Sequence, residues 1–255
     1  MDIILGAIAG DVIGSCYEFT HSIPDNFTLF NEFSKYTDDT VLTIAVLDCL
    51  QKDDIENCED YLKVYTKKYP NSGFGPNFFN WAQQPNGYKS ESFGNGAAMR
   101  VSAIGAFCKT EAEIHRVIQL VTTPSHNHSE ALKGAAAIAI SIFKAKNGES
   151  KEDISHYVLN EMNYDLSIDF DEIRAKKNIE VICQTTVPRA ISCFLQSYDY
   201  ESCIRLAVSI GGDTDTVACM AGGIAAAYYG GIPSYIKEET LLRLPFEFQT
   251  ILKTI

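Results

Sequence analysis

The chain has 255 residues, 46% of them hydrophobic and 21% charged, with 21 lysines and arginines against 33 aspartates and glutamates, a net charge of −12. That length is enough for one large globular domain with a sizeable core. The acidic balance argues against tight, sequence-indifferent binding to nucleic acid and against an anionic membrane surface, because like charges would meet; a phosphate-bearing substrate would need a local cation to reverse the sign of the pocket.

Most segments repeat their apolar residues at helical spacing, and alternating strand-like runs are scarce, so the chain reads as all-α. The N-terminal run MDIILGAIAGDVIG carries Asp2 where a secretory leader needs positive charge and is broken by Asp11. Helices are expected near 3–16, 38–52, 55–68, 76–83, 96–108, 111–121, 129–146, 150–160, 187–196, 200–210 and 215–229, with a short one near the end. The stretches ALKGAAAIAISIF (131–143) and TVACMAGGIAAAYY (216–229) are apolar on nearly every side, which places them centrally in a helical bundle. Loops are expected at 70–77 and 84–96, where Gly, Asn and Pro cluster, and 161–180 reads as a polar, exposed excursion. Aromatic residues run through the loops, so one domain over residues 1–255 is expected. No run reaches the roughly 18 apolar residues of a membrane span. Eight cysteines stand without CxxC or Cys/His zinc spacing; they read as buried free thiols, and the expected compartment is the cytoplasm.

Chemistry concentrates at two helix starts. In SIGGDTDTVACMAGG (209–223), Gly211 and Gly212 can end one helix in the left-handed conformation, and Asp213, Asp215 and Thr216 open the next. In YTDDTVLTIAVLDCL (36–50), Thr37, Asp38 and Asp39 do the same. The simpler reading is helix capping, but one cap needs one carboxylate. Four carboxylates brought together repel, at about 4 kcal/mol for a pair 4 Å apart in an effective dielectric near 20. Helix dipoles supply about half a charge each, so two divalent cations are the natural counter-charge. Oxygen ligands of this kind favour Mg²⁺, or Mn²⁺ in its place.

The chain resembles the ADP-ribosylhydrolase (ADP-ribosylglycohydrolase) family, including its dinitrogenase reductase activating and serine-type branches. The resemblance is carried by GAIAGDVIGSCYEF (6–19), YTDDT (36–40), GFG (73–75), SFGNGAAMRV (92–101), SHNHSEALKGA (125–135), VPRAISCFL (187–195) and GGDTDTVACMAGGIAAAYYG (211–230). It implies a single-domain, orthogonally packed all-α fold with a dinuclear magnesium centre held by Thr37, Asp38, Asp39, Asp213, Asp215 and Thr216. It implies Glu18 as the catalytic carboxylate, with Asp213 or Asp215 as the rival, and leaves Asp11 open to a structural reading. Diphosphate binding falls to the backbone around Ser92, Phe93, Gly94, Asn95 and Gly96. His126 matches a ligand-facing histidine, while His128 is open to capping the following helix. Gly73, Phe74 and Gly75 read equally as an adenine or ribose wall and as loop packing.

The activity this implies is hydrolysis of the bond joining ADP-ribose to a protein side chain or small acceptor. O-linked serine-type or O-acetyl-ADP-ribose substrates are preferred over arginine-linked ones. The expected partner is an ADP-ribose-bearing substrate such as an ADP-ribosylated protein; a modified nucleic acid stays open as a substrate, and no membrane partner is expected. The readings of another class are a non-catalytic crystallin-like or ADP-ribose-binding protein and a dimetal phosphohydrolase.

Overall fold

The structure, a computed structural model, describes residues 1–20, 23–24, 26–176 and 179–254. Helices run α1 Asp2–Gly14, α2 Asp38–Gln51, α3 Cys58–Lys68, α4 Pro76–Ala82, α5 Gly96–Met99, α6 Ser102–Phe107, α7 Glu111–Thr122 and α8 Ser129–Lys146. They continue with α9 Lys151–Asn160, α10 Phe170–Lys176, α11 Cys183–Gln196, α12 Tyr200–Ser209, α13 Thr214–Tyr228, α14 Ser234–Leu242 and α15 Phe246–Lys253. Among the described residues the β content is one isolated bridge, Gly94 to Ile182. The fold is a single-domain helical bundle, and among the described residues no helix is long and apolar enough to cross a membrane.

The organising contact is α1 against α13. Gly6, Gly10 and Gly14 line one side of α1, and a Cβ added at them would lie 2.4 Å from Ala226 Cβ, 2.1 Å from the Ala218 carbonyl oxygen and 2.5 Å from Asp215 Cα. As α1 advances, its partners recede along α13, so the pair is antiparallel, and only hydrogen side chains let the backbones approach this closely. The C-terminal end of α1 therefore meets the N-terminal end of α13. Helices α8, α11 and α12 cover the remaining sides of α13, which explains why its sequence is apolar all round.

Several boundaries differ from the sequence reading. The expected helix over 96–108 is two helices, because Arg100 and Val101 leave helical geometry at ψ near 7° and 6°. The break frees the Met99 carbonyl to accept from Thr43 Oγ1 (3.4 Å) and Cys219 Sγ (3.5 Å). Helix α11 starts four residues before the expected 187, anchored where the Ile182 carbonyl accepts from the Thr186 amide and the Thr185 and Thr186 hydroxyls. Pro188 thus sits inside the helix, not in its first turn. The first turn of the 55–68 helix is 3₁₀, over Ile55–Asn57. Two helices, not one, close the chain. The 161–180 segment is only partly exposed: Met162, Tyr164 and Phe170 are buried and α10 forms within it, while residues 177–178 lie outside the described residues.

Candidate functional site

Asp11 joins the two halves of the site. It is fully buried on α1 and accepts from the Thr37 amide (3.0 Å), Thr37 Oγ1 (2.8 Å), the Thr40 amide (3.0 Å) and Thr40 Oγ1. A carboxylate from one helix thus caps the start of another, and docks Thr37, Asp38 and Asp39 beside the α1–α13 seam. Thr37 is also the N-cap of α2, its hydroxyl accepting from the Asp39 amide.

On the other side, Gly211 and Gly212 take positive φ values of 74° and 81° and turn the chain into α13. Asp213 occupies the N-cap position but makes no side-chain cap; its Oδ2 accepts from Asn95 Nδ2 at 2.5 Å. The Asp215 Oδ1 accepts from the Thr216 amide at 2.9 Å, and Thr216 Oγ1 lies 3.3 Å from Asp39 Oδ2, which brings the two distant strings into contact. Carboxylate oxygens of Glu18, Asp213 and Asp215 fall within 4.8 Å of one another.

These groups open on a cleft of about 370 Å³, within the range of small-molecule sites, about 300–1,000 Å³. It is lined by Glu18, Asp38, Asp39, Asp213, Asp215 and Thr216, and also by Gly73, Gly75, Ser92, Gly94, Asn95, Gly96 and His126. No lysine or arginine is among the described residues that line it. A larger groove of about 640 Å³ lies elsewhere, between α7, α8 and α9, and gathers none of these residues.

Two residues read from the sequence as substrate contacts lie off the wall. Phe74 stacks on Phe78 with centroids 5.8 Å apart, and the Phe93 ring turns to His128 at 5.2 Å. Two backbone amides of the 92–96 loop are engaged inside the protein: Gly94 donates to Ser92 Oγ (3.1 Å) and Asn95 to the Val181 carbonyl (3.0 Å). His128 caps α8, its Nδ1 accepting from the Glu130 amide. The sequence reading missed Phe19, Asn77, Phe78 and Val181, which line the cleft. Phe19 alone left a retrievable signal, a large apolar residue next to Glu18; it is 52% exposed, at φ 60°.

Burial and crowding hold every carboxyl of the cluster above its ordinary range. Desolvation is the leading cause throughout. Asp11 rises to about 6, against its four donors. Glu18 rises to about 7, with Asp213 and Asp11 adding repulsion, and Asp38 to about 8, with Asp11 adding most. Asp39 and Asp215 are pushed well up, and Asp213 less so because Asn95 donates to it. Asp39 Oδ1 is buried with no hydrogen-bond partner among the described residues. An all-oxygen, carboxylate-rich set with an orphaned buried acceptor fits a hard divalent cation.

Fold and cleft together define an all-α protein with a buried carboxylate centre. The chain belongs to the ADP-ribosylglycohydrolase family, whose model matches residues 1–249. It is similar to ADP-ribosylhydrolase ARH3 of Homo sapiens, 28% identical over 308 aligned residues covering 89% of this chain and 84% of that one. A putative ADP-ribosyl glycohydrolase, L543, of Acanthamoeba polyphaga mimivirus is 25% identical over 287, covering 91% and 87%. A solved chain titled ADP-ribosylglycohydrolase-related protein complex superposes with a TM-score of 0.70 at 20% identity, covering 95% of this chain and 94% of that one.

Proposed function

We propose that the chain is a magnesium-dependent hydrolase that releases ADP-ribose from an O-linked acceptor, a serine side chain of a modified protein or an acetyl group. The observation that carries this reading is the convergence of Glu18 with the two carboxylate-bearing helix starts in one cleft. The human and viral relatives, named for ADP-ribosyl hydrolysis, support the substrate class.

Thr37, Asp38, Asp39, Asp213, Asp215 and Thr216 would hold two Mg²⁺ ions, or Mn²⁺, with Asp39 Oδ1 gaining the partner it lacks. When bound, the ions supply positive charge for the ribose hydroxyls and diphosphate and polarise water. Departure of the acceptor leaves an oxocarbenium-like anomeric carbon, so a carboxyl must give or take a proton beside it. Glu18 is the candidate for this: it is half-buried at the cleft, and in the cation-free chain its carboxyl is raised to about 7, by desolvation first and Asp213 second. Asn95 restrains Asp213 through its amide nitrogen. Gly73, Gly75, Gly94 and Gly96 line the same cleft, and Gly75 has open space where a side chain would stand, which suits a sugar diphosphate there. The cytoplasm is the proposed compartment, consistent with all eight cysteines being unpaired thiols.

Serine-, arginine- and O-acetyl-linked ADP-ribose, assayed side by side with Mg²⁺ and with chelator, test this. ADP-ribose should appear only with Mg²⁺ and fastest from the O-linked substrates, and Asp38→Ala and Asp215→Ala should both be inactive. Faster release from the arginine linkage would move the acceptor class. Absence of ADP-ribose release from all three, or undiminished turnover in chelator, would refute the reading.

A further inference from the structure

Arg100, in the break between α5 and α6, is fully buried. Its Nη2 donates to the Val121 carbonyl (3.2 Å) and to Ser125 Oγ (2.7 Å), its face lies against Phe78 at 5.6 Å, and its Nε and Nη1 have no partner among the described residues. A guanidinium has donors only. Ser125 Oγ therefore accepts from Arg100, and its own proton must go elsewhere. Ser125 is 2% exposed, and its other polar neighbour is Nδ1 of His126 at 2.8 Å. If Nδ1 carried a proton, the serine oxygen would accept twice and its buried hydroxyl hydrogen would have no acceptor, at the cost of an unmade hydrogen bond. With Nδ1 bare, the serine oxygen accepts from Arg100 and its hydroxyl donates to His126, so both of its roles are filled.

The other ring nitrogen faces the cleft. Nε2 of His126 lies 3.6 Å and 3.3 Å from where a Cβ would stand at Gly94 and Gly96, and His126 lines the same cleft as the carboxylates. We infer that Ser125, oriented by Arg100, is a positioning residue that fixes the His126 tautomer, so that Nε2–H is presented to the cleft as an uncharged donor to a substrate oxygen. Burial and the Arg100 charge hold the imidazole well below its usual range, so it stays neutral. In an acidic cleft without lysine or arginine on its wall, such a donor binds an anionic oxygen without itself titrating.

The substrate part rests on the proposed function; the tautomer does not. Long-range ¹H–¹⁵N correlation spectra of histidine-labelled protein, with His126 assigned by its loss in His126→Gln, should show a bare Nδ1 and a protonated Nε2 at neutral and mildly acidic pH. Ser125→Ala should mix the tautomers and weaken ADP-ribose binding about two- to tenfold, and Ser125→Thr should restore both. Arg100→Met should mix them too; where that variant does not fold, the Ser125 pair decides. A protonated Nδ1 or an imidazolium in the unaltered protein overturns the inference. So does Ser125→Ala with an unchanged tautomer, whether or not affinity falls, since a purely structural role would give that result. Unaltered protein with the expected tautomer but no affinity for ADP-ribose supports the tautomer and refutes the proposed function instead.

Discussion

Asp11 and Glu18 lie seven positions apart in one string, and their surroundings give them different work. Asp11 is fully buried and saturated by four donors from Thr37 and Thr40, so its oxygens are committed to holding α2 in place. Glu18 stands half-buried at the cleft wall, close to Asp213 and Asp215, where a proton can reach it from outside. The four donors favour the architectural reading of Asp11, and Glu18 stays the first candidate for proton transfer, with Asp213 or Asp215 as the rival. Glu18→Gln keeps the shape and an oxygen acceptor but removes basicity, so kcat should fall about 10²- to 10⁴-fold, with KM and the Mg²⁺-induced rise in Tm nearly unchanged. Steady-state kinetics and thermal melts with titrated Mg²⁺ check this together; a lost Mg²⁺ response with turnover retained would make Glu18 a ligand instead.

At the scale of helices, what the sequence revealed and what it hid follow one physical line. The TDD and DTDT strings were readable because capping and the left-handed turn at Gly211 and Gly212 are local events, decided within a few residues. The cap that Asp11 supplies to α2 spans 26 to 29 positions, and no local pattern announces it. The same holds for the break at Arg100, imposed by partners at Val121 and Ser125, and for the early start of α11, fixed by its pairing with the 93–95 loop. Local propensity would have run one helix through the first and begun the second at its proline. For Phe74 the sequence left a ligand wall and loop packing equally open, and only tertiary packing shows its ring against Phe78, as it shows the Phe93 ring against His128. The α1–α13 seam gives a test at this scale. Gly10→Ala would put a methyl 2.1 Å from the Ala218 carbonyl oxygen, against backbone that cannot yield, so the helices must part. Overpacking of this kind costs about 1–3 kcal/mol or more, and Tm should fall by about 2 °C or more. Because the seam aligns Asp11 with Asp215, the Mg²⁺ response should shrink as well. Gly75→Ala, with nothing within 4 Å of the added atom, should melt within about 0.5 kcal/mol of the unaltered protein. Calorimetry of the two variants separates the seam from the cleft wall.

For the whole molecule, a net charge of −12 would ordinarily be carried on the surface, yet this chain folds several of its carboxyls inward around one cleft. Unfolded carboxyls titrate near 4. In the folded chain Asp11 rises to about 6, Glu18 to about 7 and Asp38 to about 8, and Asp39, Asp213 and Asp215 also rise. Between pH 4 and 8 the folded, cation-free chain therefore keeps protons that the unfolded chain has released. Stability falls with rising pH wherever the folded state binds more protons, so this contribution is fully present below about pH 4 and is lost as pH climbs through 6 to 8. A divalent cation competes with those protons for the same oxygens, and its stabilisation grows as they leave. In chelator, Tm should decline from pH 5 to pH 8. In saturating Mg²⁺ the decline should flatten, so that the gap between the two melting curves is wider at pH 8 than at pH 6. Differential scanning fluorimetry across that range measures both curves, and a chelator curve that climbs toward pH 8 would mean that these carboxyls do not share one buried centre.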